Sequence, residues 1–343
     1  MSEDVLFLDR TAVRECAAAI DVCQVVTDAL VRHARGAGTL PAEGHLPWTN
    51  DRGGSCRSLA MLGALEGDGA PPVRGMKLIN AATSNPALGR ERAAGVSLLF
   101  DHDTARPLVL AEAGWLSAAR TAAYTMVSLR HLGPPGWQEL TLIGCGTLAR
   151  MHLELLGAAF PRVRTVHMYD VDPRRAGALA HWNAQQRPEL RTLVHATARE
   201  AVRASPVVVT ATTTGEGYLP AAWLCPGVFV AHVSLADLLP DALLTAQALY
   251  VDDIGLVRDN PRRVLGALMR EGRITAREPG PAGGRALDGT LGQVLTGEVA
   301  AKRPGAGHVV SNPFGMAVLD VALLAAVHEV AVRRASGRRL RLY

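Results

Sequence analysis

The stretch Glu139-Leu-Thr-Leu-Ile-Gly-Cys-Gly-Thr-Leu-Ala149 constrains the fold more than any other part of the chain. Its apolar run, Leu140 to Ile143, reads as a buried strand, and the segment from Arg150 to Ala159 reads as a helix. Between them stands Gly144-x-Gly146-x-x-Ala149. In a strand-turn-helix of this kind the first glycine makes the tight turn and the second lets a pyrophosphate approach the backbone. The small third residue lets helix and strand pack closely. The pyrophosphate then rests on free N–H groups at the positive end of the helix. An alanine-rich chain can produce this spacing by chance, but the next segment raises its value. Thr165-Val-His-Met-Tyr-Asp170 is a second strand that ends in an acid 26 residues after Gly144, where an acid that reads a ribose diol belongs. Asp170 would repel a phosphate there and favour NAD, while Arg174 and Arg175 leave NADP open.

The clearest boundary is Gly133-Pro-Pro-Gly136. Beyond it strands at 139–143, 164–169, 207–211, 228–233 and 248–252 alternate with helices, as a parallel sheet requires. Before it, residues 12 to 35 carry helical periodicity and a polar stretch runs to Gly54. Strand-like runs follow from Arg57 to Leu62, Val73 to Ile79, Gly95 to Phe100 and Pro107 to Ala111, then a helix from Trp115 to Leu132. Pro279 to Gly284 is a surface loop. Ser311-Asn-Pro-Phe314 is expected to start a long apolar helix to about Arg334, with Ser311 or Asn312 capping and Pro313 in its first turn. That helix is too apolar to stand alone and should pack back on the first domain or across a subunit interface. The expected class is α/β: a Rossmann-type parallel-sheet domain at 133–311, an α+β substrate and dimerisation domain at 1–132, and the helix of 312–343.

A chain of 343 residues with 48% apolar content can bury one large core or two moderate ones, so two domains are expected. No apolar run is long enough for a membrane span and no secretory signal is visible, so a cytoplasmic protein is expected. Five scattered cysteines without Cys-x-x-Cys spacing fit reduced thiols, and the histidines show no ligand spacing, so no metal is expected. The net charge of +4 is modest, and Arg333-Arg334 and Arg338-Arg339-Leu-Arg341 read as a solvated tail rather than a nucleic-acid surface.

Of 36 basic residues only two are lysines. Lys302 sits in a polar loop. Lys77 sits inside the apolar run Val73-Arg-Gly-Met-Lys-Leu-Ile79, where either an edge-strand lysine reaching solvent or a site residue would stand. The site reading is favoured, because only an ammonium is a compact charge whose pKa shifts readily on burial. Arg120 lies in a helix of small apolar residues, where an arginine is costly without an anion. Its guanidinium suits a substrate carboxylate, with an internal pair to Glu112 as the alternative. Asp237 follows the strand 228–233 at its carboxyl end, where either a general base or a helix N-cap would stand. Thr210, Thr212 and Thr213 read as a polar cradle for a nicotinamide ribose or simply as strand formers, and His232 as a residue that packs within its strand rather than a catalytic one.

These residues resemble the ornithine cyclodeaminase/mu-crystallin family across the whole chain. The matches are Glu91-Arg-Ala-Ala-Gly95, Arg120-Thr-Ala-Ala123, Leu142-Ile-Gly-Cys-Gly146, Val251-Asp-Asp253, Leu291-Gly-Gln-Val-Leu-Thr-Gly297, Asn312-Pro-Phe-Gly-Met-Ala317 and Leu342-Tyr343. Within the family the likeness is to the dehydrogenases that release 2,3-diaminopropionate from N-(2-amino-2-carboxyethyl)-L-glutamate. Departures at Thr147-Leu148-Ala149 and at Leu78-Ile-Asn-Ala81 bear on fine substrate specificity.

The resemblance implies an NAD-dependent oxidoreductase and a homodimer built through the first domain. It implies catalytic roles for Lys77 and Asp237 and substrate contacts from Arg57, Lys77, Arg92 and Arg120. Cofactor contacts are implied for Arg120, Thr121, Gly144, Gly146, Thr147, Leu148, Asp170, Thr210, Thr212, Ser234, Leu235 and Asn312. The implied reaction moves hydride from the glutamate α-carbon to NAD+, after which water activated by Asp237 adds and 2-oxoglutarate leaves. A PLP-dependent synthase would supply the substrate in a siderophore or peptide natural-product pathway. The alternatives are an amino-acid cyclodeaminase, a ketimine reductase and a non-catalytic crystallin-like binder.

Overall fold

The computed structural model describes residues 4–67, 69–234, 236–260, 263–278 and 284–342, so Leu235, most of the Pro279–Gly284 loop and Tyr343 lie outside it. The chain divides into two compact units, residues 1–120 with 315–343 and residues 121–314. The division falls inside a helix rather than at Gly133–Gly136, because one unbroken helical segment serves both stretches of chain.

In the first unit β1 (Asp4–Leu8) leads to α1 (Arg10–Ala17) and α2 (Val22–Arg32). The single helical segment expected at 12–35 is thus two helices. Asp21 ends the run by accepting from the Gln24 N–H at 3.0 Å, capping α2 as Asp9 caps α1. The stretch read as polar loop contains β2 (Gly38–Thr39) and the exposed β3 (Gly44–Thr49). Next come β4 (Ser55–Leu65), β5 (Val73–Ala82), β6 (Ala93–Phe100), β7 (Pro107–Glu112) and α3 (Ala113–Leu132). Glu112 starts α3 by accepting from the N–H groups of Gly114 and Trp115.

The second unit is a parallel sheet. Its elements are β8 (Glu139–Ile143), α4 (Thr147–Ala159), β9 (Thr165–Tyr169), α5 (Pro173–Gln186), β10 (Arg191–Val194), α6 (Ala198–Arg203), β11 (Val207–Thr210) and β12 (Phe229–His232). They continue with α7 (Pro240–Leu244), β13 (Ala248–Val251), α8 (Ile254–Arg258), α9 (Val264–Arg270) and the short pair β14 (Ile274–Thr275) and β15 (Arg285–Ala286). Last come β16 (Gly289–Thr290), α10 (Leu291–Thr296) and β17 (Val309–Asn312). The strand order is β10-β9-β8-β11-β12-β17-β13-β16. Its first six strands in chain order take the Rossmann arrangement, with β17 wedged before the sixth. Val208, Val230, Leu249, Val251 and Val310 are buried in its core, each worth about 1.5–3 kcal/mol on burial.

That wedge corrects the expectation for Ser311-Asn-Pro-Phe314. The β-branched pair Val309-Val310 belongs to β17, paired with β12 and β13, so Ser311 and Asn312 are strand residues rather than caps. The helix starts later, after Gly315 (φ +105°), as α11 (Ala317–Arg334) with Met316 at its N-cap.

α11 belongs to the first unit and packs on β4, β5, β6, α1 and α2. Gly63 of β4 admits it: a Cβ there would lie 2.9 Å from the Val318 nitrogen. The chain closes with β18 (Arg338–Arg341), antiparallel to β1, so the arginines read as a solvated tail form an exposed edge strand. Arg338 stacks over the Phe7 ring at 5.2 Å, which gives the segment an apolar anchor. The sheet runs β18-β1-β7-β6-β5-β4-β2, with β3 also on β4.

Candidate active site

The glycine turn follows β8. Gly144 sits at φ +89°, and a Cβ on it would lie 2.8 Å from the Ala211 carbonyl oxygen, so no other residue fits without strain. Gly146 forms the start of α4, has no side-chain cap, and would place a Cβ in open space. Gly146 and Thr147 are exposed, Leu148 is half-buried and Ala149 is buried against the sheet. The first turn of α4 therefore presents backbone N–H groups to an incoming anion. Asp170 ends β9 and accepts from the Cys145 N–H (2.8 Å) and the Asp172 N–H (3.0 Å). It thereby ties the acid to the glycine turn itself. Burial and this carboxylate push the Cys145 thiol up to about 12. Arg174 makes two contacts to Asp172, at 2.9 and 3.0 Å, and Arg175 lies 3.9 Å from the same acid. These features fit a dinucleotide, and both arginines already have an acidic partner.

A second cluster gathers around Asp237, which is 0% exposed. Its Oδ1 accepts from the Thr212 hydroxyl at 2.8 Å and the Tyr218 hydroxyl at 3.0 Å. Its Oδ2 accepts from Ser234, whose hydroxyl also reaches Thr210 at 2.8 Å. These partners are hydroxyls, and α7 begins at an N-cap, Leu239, with no side-chain cap, so Asp237 does not cap that helix. Burial and the adjacent Asp237 charge raise the Tyr218 phenol above its ordinary value and keep it a donor. Thr213 is exposed and outside this cluster. Asn312 donates to the His232 carbonyl at 2.8 Å and lies 2.9 Å from its Nδ1. Burial pulls His232 down to about 3, so it is a neutral strand residue, as its sequence context suggested.

The third cluster is basic and lies wholly in the first unit. Lys77 is 1% exposed and sits on β5, an interior strand between β4 and β6, so it is no edge lysine. Its Nζ lies 2.8 Å from Asp320 Oδ2 and 3.3 Å from Ser117 Oγ. Arg120, 7% exposed, places Nε 3.0 Å from Asp320 Oδ1. The Glu112 alternative does not hold, because Glu112 takes Arg10 at 2.8 Å. Burial, then the neighbouring Arg120 charge, pull Lys77 down to about 8, and Asp320 opposes both. Arg57 on β4 and Arg92 just before β6 are half-buried, and burial lowers Arg92. Arg57 stands opposite Ala81, which shares a strand face with Lys77 four residues away, about 13 Å along β5. Thr121 follows Arg120 in α3 and gives its carbonyl to Thr125.

The model of the ornithine cyclodeaminase/mu-crystallin family matches residues 3–335. The chain belongs to that family. Over its whole length it is 28% identical to the N-((2S)-2-amino-2-carboxyethyl)-L-glutamate dehydrogenase of Staphylococcus aureus, which it covers completely (100%). It is 27% identical to the Delta(1)-pyrroline-2-carboxylate reductase of Bacillus thuringiensis subsp. konkukian over 88% of each chain. Among solved structures it resembles CmnK at 53% identity and a TM-score of 0.93, over 99% of both chains. The Thermococcus litoralis Delta(1)-pyrroline-2-carboxylate reductase, solved with NADH and L-proline, is 20% identical with a TM-score of 0.84 over 98% of this chain and 100% of that one, a likeness of fold.

Of the residues singled out from sequence, the structure brings Lys77 and Arg120 together on Asp320 and gathers Thr210, Thr212 and Ser234 about Asp237, while Thr213 stands outside; the anchors Asp320, Tyr218 and Ser117 were not among them. Asp320 is the one acid in the apolar run Met316 to Val327. An acid so placed needs a buried cation, and that signal was readable. Tyr218 and Ser117 offered none, since each is an ordinary residue of a loop or helix until the fold brings it to its partner. Among the described residues no group of three or more His, Cys, Asp or Glu could hold a metal ion, and no helix is long and apolar enough to cross a membrane.

Proposed function

We propose that this enzyme uses NAD+ to oxidise the secondary amine of N-(2-amino-2-carboxyethyl)-L-glutamate, yielding 2-oxoglutarate and 2,3-diaminopropionate. The observation that carries the substrate is the positive excess in the basic cluster. Lys77 and Arg120 share a single carboxylate, and Arg57 projects from the same strand face as Lys77. A substrate with three carboxylates suits such an array, because charge-assisted contacts orient an anion that water would otherwise hold. The full-length likeness to the staphylococcal dehydrogenase supports the same substrate.

Gly144, Gly146, Thr147, Leu148 and Asp170 would hold the dinucleotide, with Thr121, Thr210, Thr212, Ser234 and Asn312 around its nicotinamide half. When bound, NAD+ accepts the hydride from the glutamate α-carbon. Arg57, Arg92 and Arg120 bind carboxylates and fix that carbon. The amine must first lose its proton, and Lys77, with a pKa near 8, and Asp237 are the two groups able to take it. Asp237 then removes a proton from the water that adds to the resulting C=N carbon. The carbinolamine collapses, its C–N bond breaks, and the departing amine takes up a proton. The sum consumes one NAD+ and one water and releases NADH and one proton.

The test is purified protein with NAD+ and this amine. NADH, 2-oxoglutarate and 2,3-diaminopropionate should form in equal amounts. Product without net NADH would replace this reading with a cyclodeaminase, and cofactor binding without any reaction would replace it with a binder. The 27% identity to a pyrroline-2-carboxylate reductase favours one rival, a ketimine reductase, which would instead consume NADH with cyclic imines.

We also propose a cytoplasmic homodimer serving siderophore or antibiotic biosynthesis, fed by a PLP-dependent synthase. Support for the dimer is the sheet face away from α11, where Leu46 and Trp48 of β3 and Leu62 of β4 point the same way and remain exposed.

A further inference from the structure

We infer that Asp320 is a positioning residue, which uses its two oxygens to aim the Lys77 ammonium and the Arg120 guanidinium at one anionic group of the substrate. This rests on the reading above that Lys77 and Arg120 meet the substrate. The geometry is specific: Oδ2 takes Lys77 Nζ at 2.8 Å and Oδ1 takes Arg120 Nε at 3.0 Å. Neither carboxylate oxygen is left to bind both cations at once, so each is held from a different side.

Charge counting gives the consequence. Two cations and one anion leave the buried trio at +1. A carboxylate arriving from water makes it neutral, so the substrate supplies the missing charge. Without Asp320 the same pocket would carry two unscreened cations in a dry environment, and Lys77 would shed its proton to relieve them. Asp320 therefore also determines how far toward alkaline pH Lys77 remains an ammonium.

Few other groups compete for this role. The strand neighbours of Lys77 are Met61 on β4 and Ser97 on β6, and neither is charged. From α3 come Arg120 and Ser117, and Glu43 acts on Lys77 only through its charge at longer range. On β5 itself Arg74 is taken by Glu66 at 2.7 Å, and Arg57 on β4 stands opposite Ala81. On α11 the other titratable groups begin at His328, about two turns beyond Asp320.

The scarcity of lysine makes the inference directly testable. With lysine labelled by 13C at Cε, the full chain should give two resonances, Lys77 and the exposed Lys302, which pairs with Asp288. In the wild type Lys77 should titrate near pH 8 and Lys302 well above it. Asp320→Asn should move the Lys77 midpoint acidward by about one unit or more, and Arg120→Gln should move it alkaline. With the amine as substrate, Asp320→Asn should raise KM about tenfold or more, while the Kd for NAD+ stays within about twofold. If Asp320→Asn does not fold, Arg120→Gln alone decides through the Lys77 midpoint. An unmoved midpoint in the folded variants, or an unchanged KM in Asp320→Asn, overturns the inference. If the wild type does not turn the amine over, the substrate reading fails while the two titrations still judge Asp320.

Discussion

Tyr218 donates its phenolic proton to Oδ1 of Asp237 across 3.0 Å, on the same oxygen that accepts from Thr212. Three hydroxyls, those of Thr212, Tyr218 and Ser234, thus hold this buried carboxylate. Hydroxyl donors fix the direction in which this acid presents its oxygens. Asp237→Asn should lower kcat by about 100-fold or more. Tyr218→Phe should lower it by about tenfold, the value of one hydrogen bond to a charged group. NAD+ affinity, read by quenching of protein fluorescence, should change little in either variant, and a wild-type kcat for Asp237→Asn would remove it from the mechanism.

Lys77→Ala should cost about 100-fold or more in kcat/KM, because it deletes a positioned charge and leaves the Asp320–Arg120 pair alone. Lys77→Arg should not restore activity. A planar guanidinium cannot occupy the volume of a compact ammonium between Ser117 and Asp320. Steady-state kinetics of both variants check this, and recovery in the arginine variant would contradict it.

Stability should fall as the solution is acidified through the histidine range. Burial pulls His152 down to about 4 and His232 to about 3, while both titrate near 6.5 in the unfolded chain. Between those values the unfolded state binds more protons, so acidification favours unfolding. His152 is tied to the Leu148 carbonyl and to Thr125, so it has no room to accommodate a charge. Lys77 acts with the same sign at the other end. Its folded value near 8 lies below 10.5, so its contribution improves as pH rises through that window. Urea midpoints measured from pH 4 to pH 7 should decline toward acid, and His152→Gln should flatten part of that decline.

Gly144→Ala should weaken NAD+ binding by tenfold or more and lower the melting temperature. The residue has φ +89°, and its new methyl would press on the Ala211 carbonyl at 2.8 Å, so the turn must open. Gly146→Ala meets no protein atom within 4 Å, so its effect should appear in cofactor affinity without a loss of melting temperature. Equal melting losses in the two variants would refute the distinction.

Trp48→Glu, at a position 46% exposed on β3, should convert the proposed dimer to monomer in sedimentation. A variant that still sediments as the wild type would place the contact elsewhere.

Five strands of the parallel sheet, β8, β9, β11, β12 and β13, were legible because each is a short apolar run between turn formers, whereas β10 (Arg191–Val194) and β16 (Gly289–Thr290) carry no such pattern. The glycine turn was legible for the same reason. Ser311 and Asn312 read as helix caps because Pro313 mimics a helix start, and only the pairing of Val309–Asn312 with β12 and β13 reveals a strand. The break at Asp21 and the strand Arg338–Arg341 likewise depend on a cap and a partner strand that periodicity does not encode. Lys77 and Arg120 stood out as charges in apolar surroundings, which is a local property. Their shared partner is 243 and 200 residues away, respectively, and no local pattern names it.

The last helix brings Asp320, and the last strand closes the sheet on β1. During translation, therefore, Lys77 and Arg120 emerge long before their counter-ion, while the intervening parallel sheet is already complete. Until that helix is made, Lys77 and Arg120 have been synthesised without the carboxylate they share. The basic pocket thus becomes habitable only once Ala317–Arg334 has been made, so a chain ending before that helix would lack the acid its two cations share.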